Sequence, residues 1–277
     1  MPGYFVAEFQ DNYNPMTTLL LYLLVGAGAG TLAGLFGIGG GMVIVPAVIF
    51  ALMAQGVSPD VLTHMAVATS LTTIVFTSLS SVRAHHQKGA ILWPRVTQMS
   101  VGIIGGTLLG VLLIANIAGP TLQNIIGVFA ALLGIQMFFG LQPKSSGQQP
   151  SPTELVGAGS VIGFGSSWFG IGGGTFSVPY LTWRGTEMRQ AVATSAACGL
   201  PIALTGSVSN IFTGWGNPAL PEWSTGFVYW PAVVGIVVTS VPFARVGAHL
   251  AHSLDQKKLK KGFAVLLMVV AAKFLLL

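Results

Sequence analysis

The stretch GLFGIGGGMVIVP, at residues 34–46, returns 133 positions later as SWFGIGGGTFSVP, at residues 167–179. Eight of the thirteen positions are identical, including the whole FGIGGG run and the closing valine and proline. A shorter segment, AVATS, also occurs twice, at 66–70 and at 191–195, and follows each glycine segment. The chain is therefore an internal duplication, and we expect its two halves to share one architecture.

The composition identifies the class of protein. Of the 277 residues, 52% are hydrophobic and only 7% are charged, and the mean hydropathy is +0.76. Soluble domains carry about a quarter of their residues as charged side chains. The basic residues behind the net charge of +5 sit in short loops between apolar runs, which argues against a nucleic-acid partner. The sequence predicts a multi-pass membrane protein whose surroundings are the lipid bilayer.

Apolar runs bounded by glycine, proline and charge predict an all-α transmembrane bundle of eight to ten helical segments. The predicted helices are 17–36, 42–54, 62–82, 95–115, 121–140, 155–169, 175–183, 188–212, 226–244 and 258–276. The short segments 42–54 and 175–183 are left open, since each is compatible with a full crossing or with a re-entrant hairpin. A polar linker rich in Pro, Ser, Gly and Gln, at 142–154, separates a first repeat at 1–141 from a second at 155–277.

Loop charges predict that the second repeat is inverted relative to the first. Lysine and arginine accumulate on the cytoplasmic side of a membrane. The loop after the third helix holds Arg83, Lys88 and Arg95, whereas its counterpart at 213–223 has no Lys or Arg. The next pair reverses this bias, because 115–121 has none and 245–261 has five. We therefore expect a cytoplasmic linker, both termini outside, and two inverted repeats.

The glycine segments are the predicted functional centre. Each glycine costs a helix about 1 kcal/mol relative to alanine, and a broken backbone inside a bilayer must be buried in protein or line a watery cavity. Matching breaks in two halves indicate a transporter's binding site. The alternative is that glycine only permits close helix packing. That alternative is preferred for the four-residue stripes Gly26, Gly30 and Gly34, and Gly102, Gly106 and Gly110.

A helix that restarts after such a break presents N–H groups and a positive dipole end, which favours a small anion without a buried cation. Hydroxyls of the AVATS helices are candidate ligands, although the same hydroxyls are equally suited to bonding their own or a neighbouring helix. The candidate substrate-binding residues are Gly37, Ile38, Gly39, Gly40, Gly41, Pro46, Thr69, Ser70, Gly170, Ile171, Gly172, Gly173, Gly174, Pro179, Thr194, Ser195 and Asn210.

Signatures of catalysis are lacking in the sequence, so we expect no enzyme activity, no cofactor and no metal site. All acidic residues fall in loops or at span ends, which disfavours coupling to protons or sodium through a buried carboxylate. An inside-negative potential drives a monovalent anion outward by about 2.3 kcal/mol per 100 mV. Export can therefore proceed without a coupling ion.

The doubled GxFGIGGGxxxVP-type segment, each copy followed by an AVATS helix, resembles the sulfite exporter TauE/SafE family of membrane transporters, which includes 4-toluene sulfonate uptake permeases. The resemblance covers essentially the whole chain. It implies a permease of the bacterial cytoplasmic (inner) membrane for sulfite or related organosulfonates. The family's motif falls on Gly37 to Gly41 with Pro46, and on Gly170 to Gly174 with Pro179.

Residues and resemblance together predict a secondary transporter that exports a small sulfur-containing anion by alternating access at a midplane site between the two breaks. A passive anion channel of the same fold is the alternative, followed by an integral membrane enzyme. A homodimer is compatible with the sequence, which assigns no interface.

Overall fold

The computed structural model describes residues 15–36, 40–140, 147, 149–250 and 256–276. Within these ranges the chain forms ten helices and one small β-hairpin. The helices are α1 Pro15–Phe36, α2 Gly41–Ala54, α3 Pro59–Gln87, α4 Trp93–Ile114, α5 Gly119–Phe139, α6 Pro152–Phe169, α7 Gly174–Trp183, α8 Met188–Thr213, α9 Trp230–Leu250 and α10 Gln256–Leu276. This confirms the all-α prediction and its count of segments.

Local sequence explains where several helices begin and end. Ser58 accepts a hydrogen bond from the Asp60 N–H ahead of α3, and Ser151 accepts one from the Glu154 N–H ahead of α6. In both cases proline occupies the next position, where its missing N–H costs nothing. Gly140 ends α5 in the left-handed conformation.

One predicted boundary is wrong. The sequence places a helix at 226–244, but α9 begins only at Trp230. Two short strands, β1 Ser224–Thr225 and β2 Val228–Tyr229, pair antiparallel just before it. Residues 227–229 are apolar because they are buried in this hairpin, and they do not belong to a helix.

Six of the described helices are long and apolar enough to cross a membrane: Met16–Gly34, Pro59–Gln87, Trp93–Ile114, Gly119–Phe139, Met188–Thr213 and Trp230–Gly247. Helix α2 is apolar but shorter, and α7 is only ten residues long. At 1.5 Å per residue α7 extends for about 15 Å, half the hydrocarbon thickness.

The helices pack crosswise between the halves. The first helix of each half lies against the fourth helix of the other, so α1 packs on α9 and α6 packs on α4. Helices α3 and α8, which carry the AVATS segments, pack together, and so do α5 and α10. Every residue of α3 from Val61 to Ile74 is buried, and α8 is buried at half of its positions, which places these two helices in the core.

The two crosswise interfaces use the same contacts. The α-carbons of Gly26 and Gly30 face the backbone of Ile236 and Ser240, and those of Gly159 and Gly163 face the backbone of Met99 and Ile103. Each glycine of the first half is 133 positions before the equivalent glycine of the second half. The residues that they face are equivalent in the same way, at a separation of 137 positions. Trp-Pro starts both partner helices, at Trp93 and Trp230. The structure thus reveals a second repeated motif.

Close helix packing, the role preferred from the sequence for the glycine stripes, is confirmed at five of the six positions. A side chain at any of these glycines would collide with a neighbouring helix, in contrast to the adjacent Gly105, where nothing lies within 4 Å. The five are Gly26 and Gly30 on α1, and Gly102, Gly106 and Gly110 on α4.

Candidate functional site

The second glycine segment breaks the helix, as predicted. Helix α6 ends at Phe169, and the Gly170 N–H caps it by donating to the Ser166 carbonyl. Gly170 and Gly173 have φ angles of +61° and +64°, a conformation that costs a residue with a side chain about 1–2 kcal/mol. Helix α7 then starts at Gly174. Glycine at 170 and 173 is therefore required by the turn itself.

In the first half, α1 ends at Phe36 and α2 begins at Gly41, with Gly40 as its N-cap. The candidate residues Gly37, Ile38 and Gly39 lie outside the described residues. Gly40 has a φ angle of −73° and a ψ angle of −7°, a right-handed conformation. Its equivalent in the second half, Gly173, is left-handed.

The structure brings the two glycine segments into contact. The backbone of Gly41 lies so close to the Gly170 carbonyl oxygen and the Ile171 α-carbon that a Cβ atom at position 41 would collide with both. From α3, the Ser70 hydroxyl donates to the same Gly170 carbonyl over 2.7 Å, and both groups are buried. Four candidate residues from two halves therefore meet at one peptide group.

Helix α8 covers the opposite side of the second break. The α-carbon of Gly199 faces the Gly172 carbonyl, with a Cβ position 3.1 Å from that oxygen. Ser195 lies one turn earlier on the same face, because positions i and i+4 of a helix are neighbours. Its side chain is fully buried, and its Oγ has no hydrogen-bond partner among the described residues.

Further hydroxyls lie at the start of α7. Ser177 is fully buried, and its Oγ lies 3.4 Å from the Cβ position of Gly173. Within the described part of the chain this oxygen, the Thr175 hydroxyl and the Ser166 hydroxyl have no hydrogen-bond partner. Buried polar atoms are normally paired, so the two orphaned hydroxyls in the first turn of α7, those of Thr175 and Ser177, require an explanation.

Sequence analysis missed Ser166, Thr175 and Ser177, although a comparison of the two repeats contained a signal. The first copy reads GGGMVIVP and the second GGGTFSVP. Thr175 and Ser177 therefore replace Met42 and Ile44, two apolar residues that are buried in α2. The second break has hydroxyls at positions where the first has only apolar side chains.

The threonines of the two AVATS segments hold the crosswise architecture together. Thr69 on α3 accepts a hydrogen bond of 3.1 Å from the Tyr229 N–H, immediately before α9. Thr194 on α8 accepts one of the same length from the Leu92 N–H, immediately before α4. Each hydroxyl satisfies a donor at a helix N-terminus in the other half. Both threonine oxygens thus bond a neighbouring helix, which is the alternative to substrate binding that the sequence left open. The hydroxyl hydrogen of each threonine can still be donated to another group.

The remaining candidates surround this centre or lie far from it. Ile171 is fully buried, and Pro46 lines an apolar cleft with Phe129 and Phe169. Pro179 lies inside α7, two residues after Ser177. Asn210 is on α8 about 22 Å along the helix from Ser195, and its amide donates to the Gly206 carbonyl. The structure does not bring Asn210 to the glycine segments.

The far ends of the two short helices are each tied to neighbouring helices. Gln55, which caps α2, donates to the Tyr22 hydroxyl and accepts from the Tyr229 hydroxyl. The corresponding cap of α7, Arg184, pairs with Glu154, which also accepts from the Tyr180 hydroxyl. The end of α2 is therefore held by hydrogen bonds between neutral side chains, and the end of α7 by an ion pair.

Comparison with known proteins covers nearly the whole chain. The family model for the sulfite exporter TauE/SafE matches residues 22–274. A "Probable membrane transporter protein" of Haemophilus influenzae is 41% identical over 261 residues, covering 94% of this chain and 99% of the relative. Relatives with similar names from Methanocaldococcus jannaschii (27% identical; 87% and 90% covered) and Bacillus subtilis, YunE (24%; 91% and 94%), also match. No solved structure matches.

Proposed function

This chain belongs to the sulfite exporter TauE/SafE family of membrane transporters and is a multi-pass membrane protein, not an enzyme. We propose that it is a secondary transporter that exports a small sulfur-containing anion, sulfite or an organosulfonate, across the bacterial cytoplasmic membrane. One observation carries the proposal. The fully buried Ser177 hydroxyl, in the first turn of α7 beside Gly173, has no hydrogen-bond partner among the described residues.

The binding site is built from both halves. The hydroxyls of Thr175 and Ser177 in the first turn of α7, and that of Ser195 on α8, donate to the oxygens of the anion. The positive end of the α7 dipole favours the anion's charge. Ser70 and Gly41 hold the Gly170 peptide in place from the first half. Gly37, Ile38 and Gly39, which lie outside the described residues, remain part of the proposed substrate-binding set.

The halves are inverted repeats related by a pseudo-two-fold axis in the membrane plane. The reversed loop charges support this, and so do the crosswise pairs α1 with α9 and α6 with α4, because a two-fold axis exchanges one pair for the other. The matching contacts at Gly26 and Gly159 support the same exchange. Both termini are then outside, and the linker at 142–154 is cytoplasmic.

Transport proceeds by alternating access in which the two glycine segments exchange conformations. Equivalent residues differ in the structure, since Gly173 is left-handed where Gly40 is right-handed. Likewise, Ser70 is bonded where its equivalent Ser195 is without a partner. In an inverted-repeat transporter such differences between halves define one state, and the exchange of roles generates the other.

Anion binding to purified protein, measured by thermal shift, tests the proposal. Sulfite, methanesulfonate and sulfoacetate are compared with chloride and nitrate. A ligand at 100 times its Kd stabilises the folded state by about 2.7 kcal/mol. We expect stabilisation by a sulfur oxyanion that is lost in Gly40→Leu and Gly173→Leu but kept in Gly28→Leu, because Gly28 on α1 has no atom within 4 Å.

Flux into proteoliposomes should be largest for the anions that stabilise the purified protein most. The Gly40→Leu and Gly173→Leu variants are expected to insert and to transport nothing. Wild-type flux in both variants would show that the breaks are not the site. A flux that never saturates and shows no counter-transport would replace the transporter with a channel.

A further inference from the structure

The two helices that flank the second glycine break are joined at their far ends. Helix α6 leads from Pro152 to the break, and α7 leads away from it to Trp183. Glu154, in the first turn of α6, pairs with Arg184, the C-cap of α7, across 2.5 Å. The start of α6 and the end of α7 therefore lie close together, and the two helices form a hairpin with the break at its tip.

The Glu154 carboxylate has the surroundings of a bound anion. Its Oε2 atom accepts from the Arg184 guanidinium, and its Oε1 atom accepts from the Tyr180 hydroxyl over 3.0 Å. The Arg184 side chain is only 12% exposed, whereas that of Glu154 is 35% exposed. A guanidinium beside a second donor suits any anion that presents two oxygens, because arginine binds planar or tetrahedral oxyanions through paired N–H groups.

A second arginine lies at the same place. Arg95, in the first turn of α4, donates to the Thr186 hydroxyl and to a side-chain amide oxygen of the polar linker. Both of these partners are neutral. Arg95 also acts electrostatically on the Tyr180 hydroxyl, as Arg184 does. Two guanidinium groups thus surround one internal carboxylate, that of Glu154.

Helix α7 connects this place to the hydroxyls at the break. Tyr180 and Arg184 follow Ser177 by three and seven positions, so the three side chains share one face of the helix. Arg184 is about 10 Å along the helix from Ser177. The proposed function places the loop that follows α7 in the cytoplasm. An anion that reaches Arg184 from the cytoplasm is therefore on the face of α7 that leads to the break.

We infer that Arg184, Tyr180 and Arg95 form an entry site for the anionic substrate, which the Glu154 carboxylate occupies as an internal competitor. Two oxygens of a sulfonate or of sulfite take the positions of the carboxylate oxygens, and Glu154 turns towards water. Its displacement also releases the link between α6 and α7, so the arrival of substrate frees the hairpin to move. The inference rests on the proposed function and adds a second, cytoplasmic site to it.

Glu154→Gln tests the inference because it keeps the size of the side chain and removes the competing charge. Methanesulfonate binding to the purified full-length protein is measured by calorimetry at constant ionic strength. A tethered group competes at an effective concentration in the millimolar range, so we expect the variant to bind methanesulfonate at this site at least about tenfold more tightly than wild type. Adding Arg184→Gln should abolish the gain. An unchanged isotherm in Glu154→Gln would overturn the inference.

Glu187→Gln is the matched control, since it removes one negative charge from the same loop. Glu187 is exposed, and its side chain makes no capping hydrogen bond at the start of α8. We expect its methanesulfonate affinity to equal that of wild type. Equal gains in Glu154→Gln and Glu187→Gln would show a general effect of net charge and would contradict a specific site.

Opposite effects of the two partners distinguish a binding site from a purely structural ion pair. A structural pair predicts that Glu154→Gln and Arg184→Gln impair flux in the same direction. The entry site predicts that Glu154→Gln lowers the substrate concentration for half-maximal flux in proteoliposomes and that Arg184→Gln raises it. Glu154→Ala, which vacates the site completely, should behave like Glu154→Gln, and thermal unfolding shows that each variant is folded. Shifts in the same direction would refute the entry site.

The Gly173→Leu variant separates the entry site from the site at the break. Because Arg184 is at the other end of α7, Glu154→Gln should still gain methanesulfonate binding in this background. Wild-type binding that is lost in Gly173→Leu, with no gain in Glu154→Gln, would overturn the inference and leave the proposed function intact. Binding that appears only after Glu154→Gln would support the entry site and remove the support for a site at the break.

Discussion

The Ser70 hydroxyl lies 2.7 Å from the carbonyl oxygen of Gly170, a residue 100 positions later in the chain. This hydrogen bond joins the AVATS helix of one half to the glycine break of the other. Gly170 lies at a turn where the regular hydrogen bonds of the helix are interrupted. Its carbonyl oxygen therefore needs a hydrogen-bond donor from elsewhere in the protein. The bond therefore couples the two repeated motifs directly.

Ser70→Ala removes this donor and leaves a buried carbonyl without a partner. Such a loss costs about 1–3 kcal/mol, and we expect a fall of this size in the free energy of unfolding measured in mixed micelles. Ser80→Ala, a half-buried position on the same helix, is the control and should change little. Equal stability of the two variants would show that the Ser70 bond contributes nothing.

Gly41→Ala tests the contact between the two breaks. The added methyl group would collide with the Gly170 carbonyl and the Ile171 backbone, which cannot move as a flexible side chain can. Forced overpacking costs about 1–3 kcal/mol, and we expect anion binding to weaken as well. Gly28→Ala is the matched control, where open space and helix propensity predict a gain of about 1 kcal/mol. A stable, fully active Gly41→Ala protein would contradict the contact.

Gly30→Ala and Gly163→Ala test whether the crosswise interfaces are duplicates. Each added Cβ would meet a backbone carbonyl of the opposing helix, Ser240 or Ile103. We expect both variants to lose about 1–3 kcal/mol of unfolding free energy and to do so by similar amounts. Gly105→Ala, which faces open space on α4, should be neutral or stabilising. Markedly unequal losses would argue against equivalent interfaces.

Thr69→Val and Thr194→Val test the hydrogen bonds to the starts of α9 and α4. Valine keeps the shape and removes the acceptor, so the Tyr229 or Leu92 N–H loses its partner. We expect each variant to be destabilised by about 1–3 kcal/mol and each Thr→Ser variant to recover most of the loss. The exposed Thr97, which bonds its own helix, serves as the control. Unchanged stability together with lost anion affinity would instead assign the threonines to the substrate.

A double-mutant cycle of Tyr22→Phe and Tyr229→Phe tests the hydrogen bonds that Gln55 makes at the end of α2. Both phenols bond the Gln55 amide, and their rings lie 6.4 Å apart in an edge-to-face arrangement. Residues that share a partner are coupled by about 0.5–3 kcal/mol, so the two losses should not add. Strictly additive losses in unfolding free energy would show that Gln55 does not link the tyrosines.

Much of the fold could be predicted because the bilayer restricts the chain to helices of a limited length. Nine of the ten helices lie close to their predicted positions, and the exception is α9, where a hairpin takes up residues 224–229. That error has a physical cause, since apolarity marks burial and does not distinguish a buried strand from a buried helix. The AVATS threonines illustrate the same limit, because a Ser or Thr pattern does not reveal which partner its hydroxyl will find.

The sequence by itself determined the membrane class, the duplication, the family and the places where the helices break, because hydrophobicity, repetition and glycine are local properties of the chain. Only the tertiary structure decided that α1 packs on α9 and α6 on α4, and that Ser70 reaches Gly170 while Ser177 and Ser195 remain without partners. These relationships join residues far apart in the chain, and they depend on how the two halves meet in space, which no local pattern encodes.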